Sequence, residues 1–259
     1  MNISAIRHPR EGTYYLLCAI FSILIYVILL ASTVGTIILF ALPFCLISWI
    51  TGLFFKASLF GNALKVSEHQ CPEIHKMVVD VASDIGMTKI PDVFIYNAGG
   101  IINAYAIKFI GGKYVMLFNG IVDLSLKRNA PDELKTIIAH ELGHHAAGHT
   151  GLLKNLLIMP ARMIPYLGNA YSRACEYTCD RIATAVIKDA NIVSNALVGL
   201  AHGSVAIASH VNREAFVQQE SEIPGLPGYI NEIYSTHPRL TRRIKAVNDF
   251  ARNLPATQG

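Results

Sequence analysis

The chain has 259 residues, enough for one full domain with additional segments. It is 52% hydrophobic and only 15% charged, too apolar for an ordinary soluble domain. The net charge of +4 is small and dispersed, which excludes a nucleic-acid binder and suits an anionic membrane surface.

The apolar excess lies first in the chain. No charged residue occurs from Gly12 to Phe55. As one helix that stretch would reach about 66 Å, twice the hydrocarbon thickness of a bilayer. Two spans, near 13–32 and 36–55, fit better, with Ser32, Thr33 and Gly35 as the turn and Pro43 kinking the second. The run is far longer than the core of a signal peptide. Arg7 and Arg10 precede the first span, and Lys56 and Lys65 follow the second. Positive charge at both ends predicts a hairpin with both ends in the cytoplasm. The expected organisation is a membrane anchor over 1–56 and a catalytic domain over 57–259. Five cysteines without a spacing pattern argue against a disulfide framework and agree with a reducing compartment. Cys175 and Cys179 read as small buried residues.

Residues 57–70 read as a connector. Pro72 opens a helix in which Ile74, Met77, Val78, Val81 and Ile85 recur at helical spacing, with Gly86 as its stop. Val93–Tyr96, 101–110 and Lys113–Phe118 read as strands, with a hairpin turn at Gly111-Gly112. Asn119-Gly120 turns into a short helical segment, Ile121–Leu126. A helix then starts at Pro131, has Asp132 and Glu133 in its first turn, and ends near Gly148. Residues 150–171 are apolar but interrupted by Lys154, Pro160, Arg162 and Pro165, and read as a membrane-skimming or substrate-covering segment. A helix over 172–188 carries Glu176 and Asp180. The uncharged run 191–212 holds Ser194, His202 and Ser204 and reads as a buried core helix rather than a third span. Residues 213–230 read as a polar loop, and a basic helix runs from Pro238 to Asn253.

The chemistry concentrates in His140-Glu141-Leu142-Gly143-His144. Two histidines four apart share a helix face and can bind one metal ion, while the adjacent glutamate can take a proton from a metal-bound water. A catalytic zinc needs a third protein ligand and an open position. The candidates are His145, His149, Glu176 and the cysteines. His145 and His149 project away from the His140–His144 face. Glu176 lies on a separate helix and has Asp180 one turn later, so that helix supplies a ligand and an acceptor for a histidine's other N–H.

These stretches resemble the M48 family of zinc metallopeptidases, which contains HtpX-like membrane proteases and CAAX prenyl proteases. The resemblance runs from Pro72 to Arg243 and includes Pro91–Ile95, Asn103-Ala104-Tyr105-Ala106, Asn119–Leu124, the histidine motif, Ser172–Asp180 and Thr236-His237-Pro238. Cys179 stands where the family often has alanine. The resemblance implies an α+β, zincin-like (gluzincin) fold, mostly helical with a small sheet. It implies that His140, His144 and Glu176 bind one Zn2+, that Glu141 is general base and then proton donor, and that Asp180 orients a zinc histidine. It also implies that His237 stabilises the oxyanion, aided by Arg243. An extended peptide is expected along the strand at Asn103, Ala104, Tyr105 and Ala106, where small side chains let a backbone come close. The expected function is a membrane-anchored zinc endopeptidase acting on membrane or misfolded proteins, at a bacterial inner membrane with the catalytic domain cytoplasmic. Rival readings are a non-catalytic scaffold, a four-ligand structural zinc site using Cys179 or His149, and a protease for a prenylated tail. All catalytic groups are retained, against the first, and two spans can hardly build the chamber that the last requires.

Overall fold

A short helix, α1 (Ile3–Ile6), precedes two long apolar ones, α2 (Glu11–Ser32) and α3 (Ala41–Asn62), in the computed structural model, which describes residues 1–109 and 112–254. Each long helix has 22 residues, about 33 Å, enough to cross a hydrocarbon layer. The chain reverses at Val34 and Gly35, both with positive φ, within the expected turn. A 3-10 turn, Thr36–Phe40, leads into α3. The break expected at Pro43 therefore falls earlier, where 3-10 gives way to α. Pro43 is the third residue of α3, where a missing N–H costs no helical bond.

Two further expectations change here. α3 does not stop at Phe55 but continues through Lys56 to Asn62, because Leu59 is buried against Phe94, Tyr114 and Met116. The connector is shorter by that length. α2 is not simply a lipid-facing span either. Cys18 and Ala19 pack with Ile158, Ala161, Tyr171 and Cys175, Ser22 Oγ accepts from the Ala161 N–H at 3.1 Å, and Tyr26 donates to the Leu156 carbonyl at 2.6 Å. The opposite face, including Leu16, Ile20 and Val27, stays exposed.

The two-residue strand β1 (Leu64–Lys65) follows, then α4 (Pro72–Ile85), which buries Ile74, Val78, Val81 and Ile85 and ends at Gly86 as expected. Strands β2 (Asp92–Tyr96), β3 (Ala104–Phe109) and β4 (Gly112–Phe118) complete a mixed sheet of order β1-β2-β4-β3. β2 and β4 run parallel, with Val93 opposite Val115. β3 and β4 are antiparallel, from Ala104 opposite Leu117 to Phe109 opposite Gly112. Of the turn expected at Gly111-Gly112, Gly112 is the first residue of β4 and Gly111 lies outside the described residues. β3 is thus an edge of the sheet.

Helix α5 (Asn119–Lys127) begins at the Asn-Gly pair itself. Gly120 is required there, because a Cβ would stand 2.8 Å from the Ile101 carbonyl oxygen, in the loop that delivers β3. Then come α6 (Pro131–Ala146), α7 (Leu152–Leu157), α8 (Met159–Arg162) and α9 (Pro165–Ile187). The interrupted segment 150–171 is therefore two short helices laid along α2 and the first turns of α9. Val81, Val115, Leu117, Leu134, Ile138, Leu142 and Ile182 form the core between the sheet, α4, α6 and α9.

Helix α10 (Ala190–His202) buries Val193, Ala196 and Leu197 and is a core helix, as expected, followed by α11 (Val205–Ala208). The polar loop expected over 213–230 is helical instead: α12 (Arg213–Gln218), a 3-10 turn, and α13 (Gly225–Tyr234). Asn212 caps α12 by accepting from the Ala215 N–H at 2.8 Å. Pro227 lies in the first turn of α13, where it breaks nothing. The last helix, α14 (Leu240–Arg252), packs on α9 and α10. The architecture is α+β, mostly helical with a small sheet, as expected.

Candidate metal centre

The site forms where α6 and α9 cross. One turn of α6 separates His140 from His144, so both rings leave the same face. α9 brings Glu176 to meet them. Its Oε2 lies 3.4 Å from His140 Nε2 and its Oε1 3.4 Å from His144 Nε2. His237, on the loop between α13 and α14, places Nε2 3.6 Å from the same Oε1. Side chains from three separate stretches of the chain thus converge on one space.

Behind them lies a buried ionic network. His140 Nδ1–H donates to Asp180 Oδ1 at 3.0 Å. Arg243 donates to both Asp180 oxygens, at 2.8 and 2.6 Å, and lies 3.4 Å from Glu176 Oε2. Burial alone would raise the Glu176 pKa. Hydrogen bonds from His140 and His144, with the Arg243 charge, outweigh it and hold the carboxyl well below its usual range. For Asp180 burial again opposes ionisation, and Arg243 prevails. Two carboxylates face one guanidinium, so the pocket favours a further positive charge. In the protein alone that preference draws a proton onto His140: burial opposes it, but Asp180 and Glu176 raise the imidazole to about 10.

Two imidazole nitrogens, a carboxylate held ionised, and an acceptor already engaged on the far nitrogen of one imidazole make a donor set that fits a divalent metal ion. Cys179 Sγ also lies within 4.8 Å of the two histidines. Burial, reinforced by the Glu176 charge, pushes its thiol well above the usual range in the protein alone. His145 points to the sheet, bonding the Tyr114 carbonyl at 3.0 Å and Thr150 at 2.9 Å.

Sequence reasoning missed two residues. His149 does lie off the metal face, yet its Nδ1 is 3.1 Å from His144 Nδ1, and its Nε2 is 3.2 Å from Glu11 Oε1. With a metal ion bound and both rings neutral, His149 Nε2–H would donate to Glu11, His149 Nδ1 would accept from His144 Nδ1–H, and the His144 Nε2 lone pair would be left for the ion. Glu11 is 2% exposed and also accepts from Thr178 Oγ1 at 2.5 Å and from Arg7. The signal was available: a carboxylate at the mouth of a long uncharged run needs a partner if it is buried.

The donors open into a cleft of about 460 Å3, lined on one side by Asn103 to Lys108 of the edge strand and on the other by Glu141, Glu176 and His237. Glu141 sits on its floor, 8% exposed. Asn103 donates to Tyr105 Oη at 2.6 Å, and Ala104 is buried against β4. Arg243 does not reach freely into the cleft, because its fork is occupied by Asp180.

With this geometry in hand, comparison with known proteins is specific. The chain belongs to peptidase family M48, whose family model matches residues 68–160 and 151–251. It is 27% identical over 216 residues to the Plastoglobule-localized metallopeptidase 48, chloroplastic, of Arabidopsis thaliana, covering 75% of this chain and 61% of that protein. It is 26% identical over 159 residues to the Protease HtpX homolog of Pyrobaculum calidifontis, covering 61% of this chain and 44% of that one. The crystal structure of S. mikatae Ste24p shares the fold with a TM-score of 0.53 at 16% identity, over 82% of this chain and 57% of that one. The chain thus spans less than two thirds of the length of each of these relatives. Two of its helices, Glu11–Ser32 and Thr36–Asn62, are long and apolar enough to cross a bilayer.

Proposed function

We propose that this chain is a membrane-anchored zinc endopeptidase, with an anchor over 1–56 and a catalytic domain over 57–259, that clears damaged or misfolded membrane proteins. We place its catalytic domain on the cytoplasmic side of a bacterial inner membrane, following the basic residues that flank both spans. One observation carries the reading: His140, His144 and Glu176 converge at the base of a cleft whose opposite wall is a sheet edge.

In this reading His140, His144 and Glu176 hold the ion. A bound zinc ion supplies Lewis acidity, polarising a carbonyl and acidifying a water. Glu141 takes the proton from the attacking water and returns it to the leaving nitrogen. His237 donates to the oxygen on which negative charge grows, a contribution of about 3 kcal/mol for one well-placed donor. Asp180 fixes the tautomer of His140, and Arg243 fixes Asp180. The oxyanion role thus falls to His237, and Arg243 acts by positioning. Substrate lies extended beside Asn103–Ala106, pairing with the free backbone groups of β3.

Purified full-length protein should cleave an unfolded polypeptide such as reduced casein. Chelation should reduce cleavage by at least about 100-fold, and one equivalent of zinc per chain should restore it. Undiminished cleavage by protein shown to be metal-free would overturn the proposal. His149→Phe, which removes the acceptor for His144 Nδ1–H, should weaken zinc binding by about 10- to 100-fold in competition with a chelator. Glu11→Gln, which keeps an acceptor for His149 but not the charge, should have a smaller effect in the same direction. Unchanged affinity in His149→Phe would remove Glu11 and His149 from the site.

A further inference from the structure

A second cavity, of about 670 Å3, lies against α9 away from the metal cleft. Ala170, Arg173, Ala174, Tyr177 and Arg181, spaced three or four apart, line it from one face of the helix. Ser172, Cys175 and Glu176 face the metal cleft instead.

Three arginines at this cavity, Arg10, Arg173 and Arg181, form no ion pair among the described residues. Arg173 is fixed by the carbonyls of Glu232 and Ser235, at 2.6 and 2.8 Å. Arg181 is fixed by the Arg7 carbonyl at 2.9 Å and lies over the Phe250 ring. Carbonyls aim a guanidinium without neutralising it. Arg10 joins these two at the rim. The carboxylates lining the same space already have partners: Asp180 has Arg243, Glu232 has Arg239 and Arg242, and Asp249 has Arg252. His8 lies in the cavity wall. Burial, followed by the charges of Arg181 and Arg10, lowers its imidazole to about 4.

The cavity also has a defined depth. Arg10 and Tyr14 flank the start of α2, and from Leu16 onward the outer face of that helix is exposed hydrocarbon, with Leu16 at 58% and Ile20 at 57%. Arg10 to Leu17 rises only about 10 Å, so the cavity stands level with the headgroups bordering the apolar layer. Tyr166 and Tyr229 line the rim and are more than half exposed, in the manner of interfacial aromatic residues.

We propose that this cavity binds the phosphate of an anionic phospholipid, with the acyl chains lying along the exposed face of α2. Guanidinium forks suit phosphate oxygens, tyrosine hydroxyls add donors, and the adjoining helix offers a path for the chains. A lipid seated here would join α2, α9, α13 and α14, tying the helix that carries Glu176 to the bilayer. The proposal rests on the chain being a membrane protein and not on its peptidase activity.

The test uses delipidated full-length protein in a neutral detergent. Phosphatidylglycerol, phosphatidylcholine and inorganic phosphate are titrated separately and together, with bound lipid counted by native mass spectrometry. Phosphatidylglycerol should bind at least about tenfold more tightly than phosphatidylcholine, because its headgroup alone is anionic. Arg10→Gln, at an exposed position, should cut that preference at least threefold, and Arg10→Gln with Arg181→Gln should abolish it, each variant retaining the wild-type circular dichroism spectrum and cooperative thermal unfolding as the check on folding. Inorganic phosphate at equal concentration should not displace the lipid. Equal binding of the two lipids overturns the proposal, as does an undiminished preference in folded Arg10→Gln. Full displacement by inorganic phosphate also overturns it, since the site would then be one for a free anion.

Discussion

Glu141→Gln should lower the turnover of peptide cleavage by about 1,000-fold or more, while zinc content stays at the wild-type level and KM changes little. The substitution keeps size and hydrogen-bonding shape but removes the proton acceptor. Glu141 is not among the donors that converge on the metal position, so the ion should remain. General acid–base catalysis is worth about 100- to 10,000-fold, and here one side chain acts twice, as base toward water and as acid toward the leaving nitrogen. Its burial at the base of the cleft makes replacement by bulk solvent ineffective. The measurement is cleavage of reduced casein by wild type and variant, with metal counted on the same samples. Undiminished cleavage by zinc-loaded Glu141→Gln would exclude Glu141 as the base. Loss of both zinc and cleavage would show that Glu141 contributes to metal retention.

Much of this site was legible because its parts are local. The i, i+4 pair His140 and His144 and the i, i+4 pair Glu176 and Asp180 each occupy one helix face, and helical geometry alone predicts that each pair points together. The ends of α4 and the turn between α2 and α3 were marked by Gly86 and Gly35, which take the positive φ such positions require. What stayed hidden depends on long-range packing. His149 was set aside as if it continued the helix of His144, but α6 ends at Ala146, and its partner Glu11 is 138 residues away. The residues from 213 to 230 looked like a loop because Gly225, Pro227 and Gly228 break helices in isolation. In the fold, Pro227 falls in a first turn, and Gly228 lies close beneath Ile223, whose Cγ2 would meet a Cβ there at 2.4 Å. α3 outran its apolar stretch because Leu59 found the sheet.

Arg243 shows the same limit in energetic form, and its replacement carries the second large effect. Sequence resemblance suggests a group directed at substrate, whereas the fold buries the guanidinium, 5% exposed, against Asp180 and Glu176. Arg243→Met fills much of the space but leaves two buried carboxylates without their common partner. Removing one side of a buried ion pair costs about 3–5 kcal/mol, because the remaining charge keeps its desolvation penalty. For a chain of this size that corresponds to a fall in Tm of roughly 10 °C. Arg243→Lys keeps the charge but loses the two-pronged contact with Asp180, and should fall between wild type and Met. A bound zinc ion supplies positive charge beside Glu176 but not beside Asp180, so saturating zinc should recover part of the loss and no more. Asp180→Asn added to Arg243→Met should recover a further part by removing the stranded charge. Thermal unfolding of the detergent-solubilised variants, with and without zinc, separates these contributions. An unchanged Tm in Arg243→Met would mean that the network behind the histidines does not hold the site together.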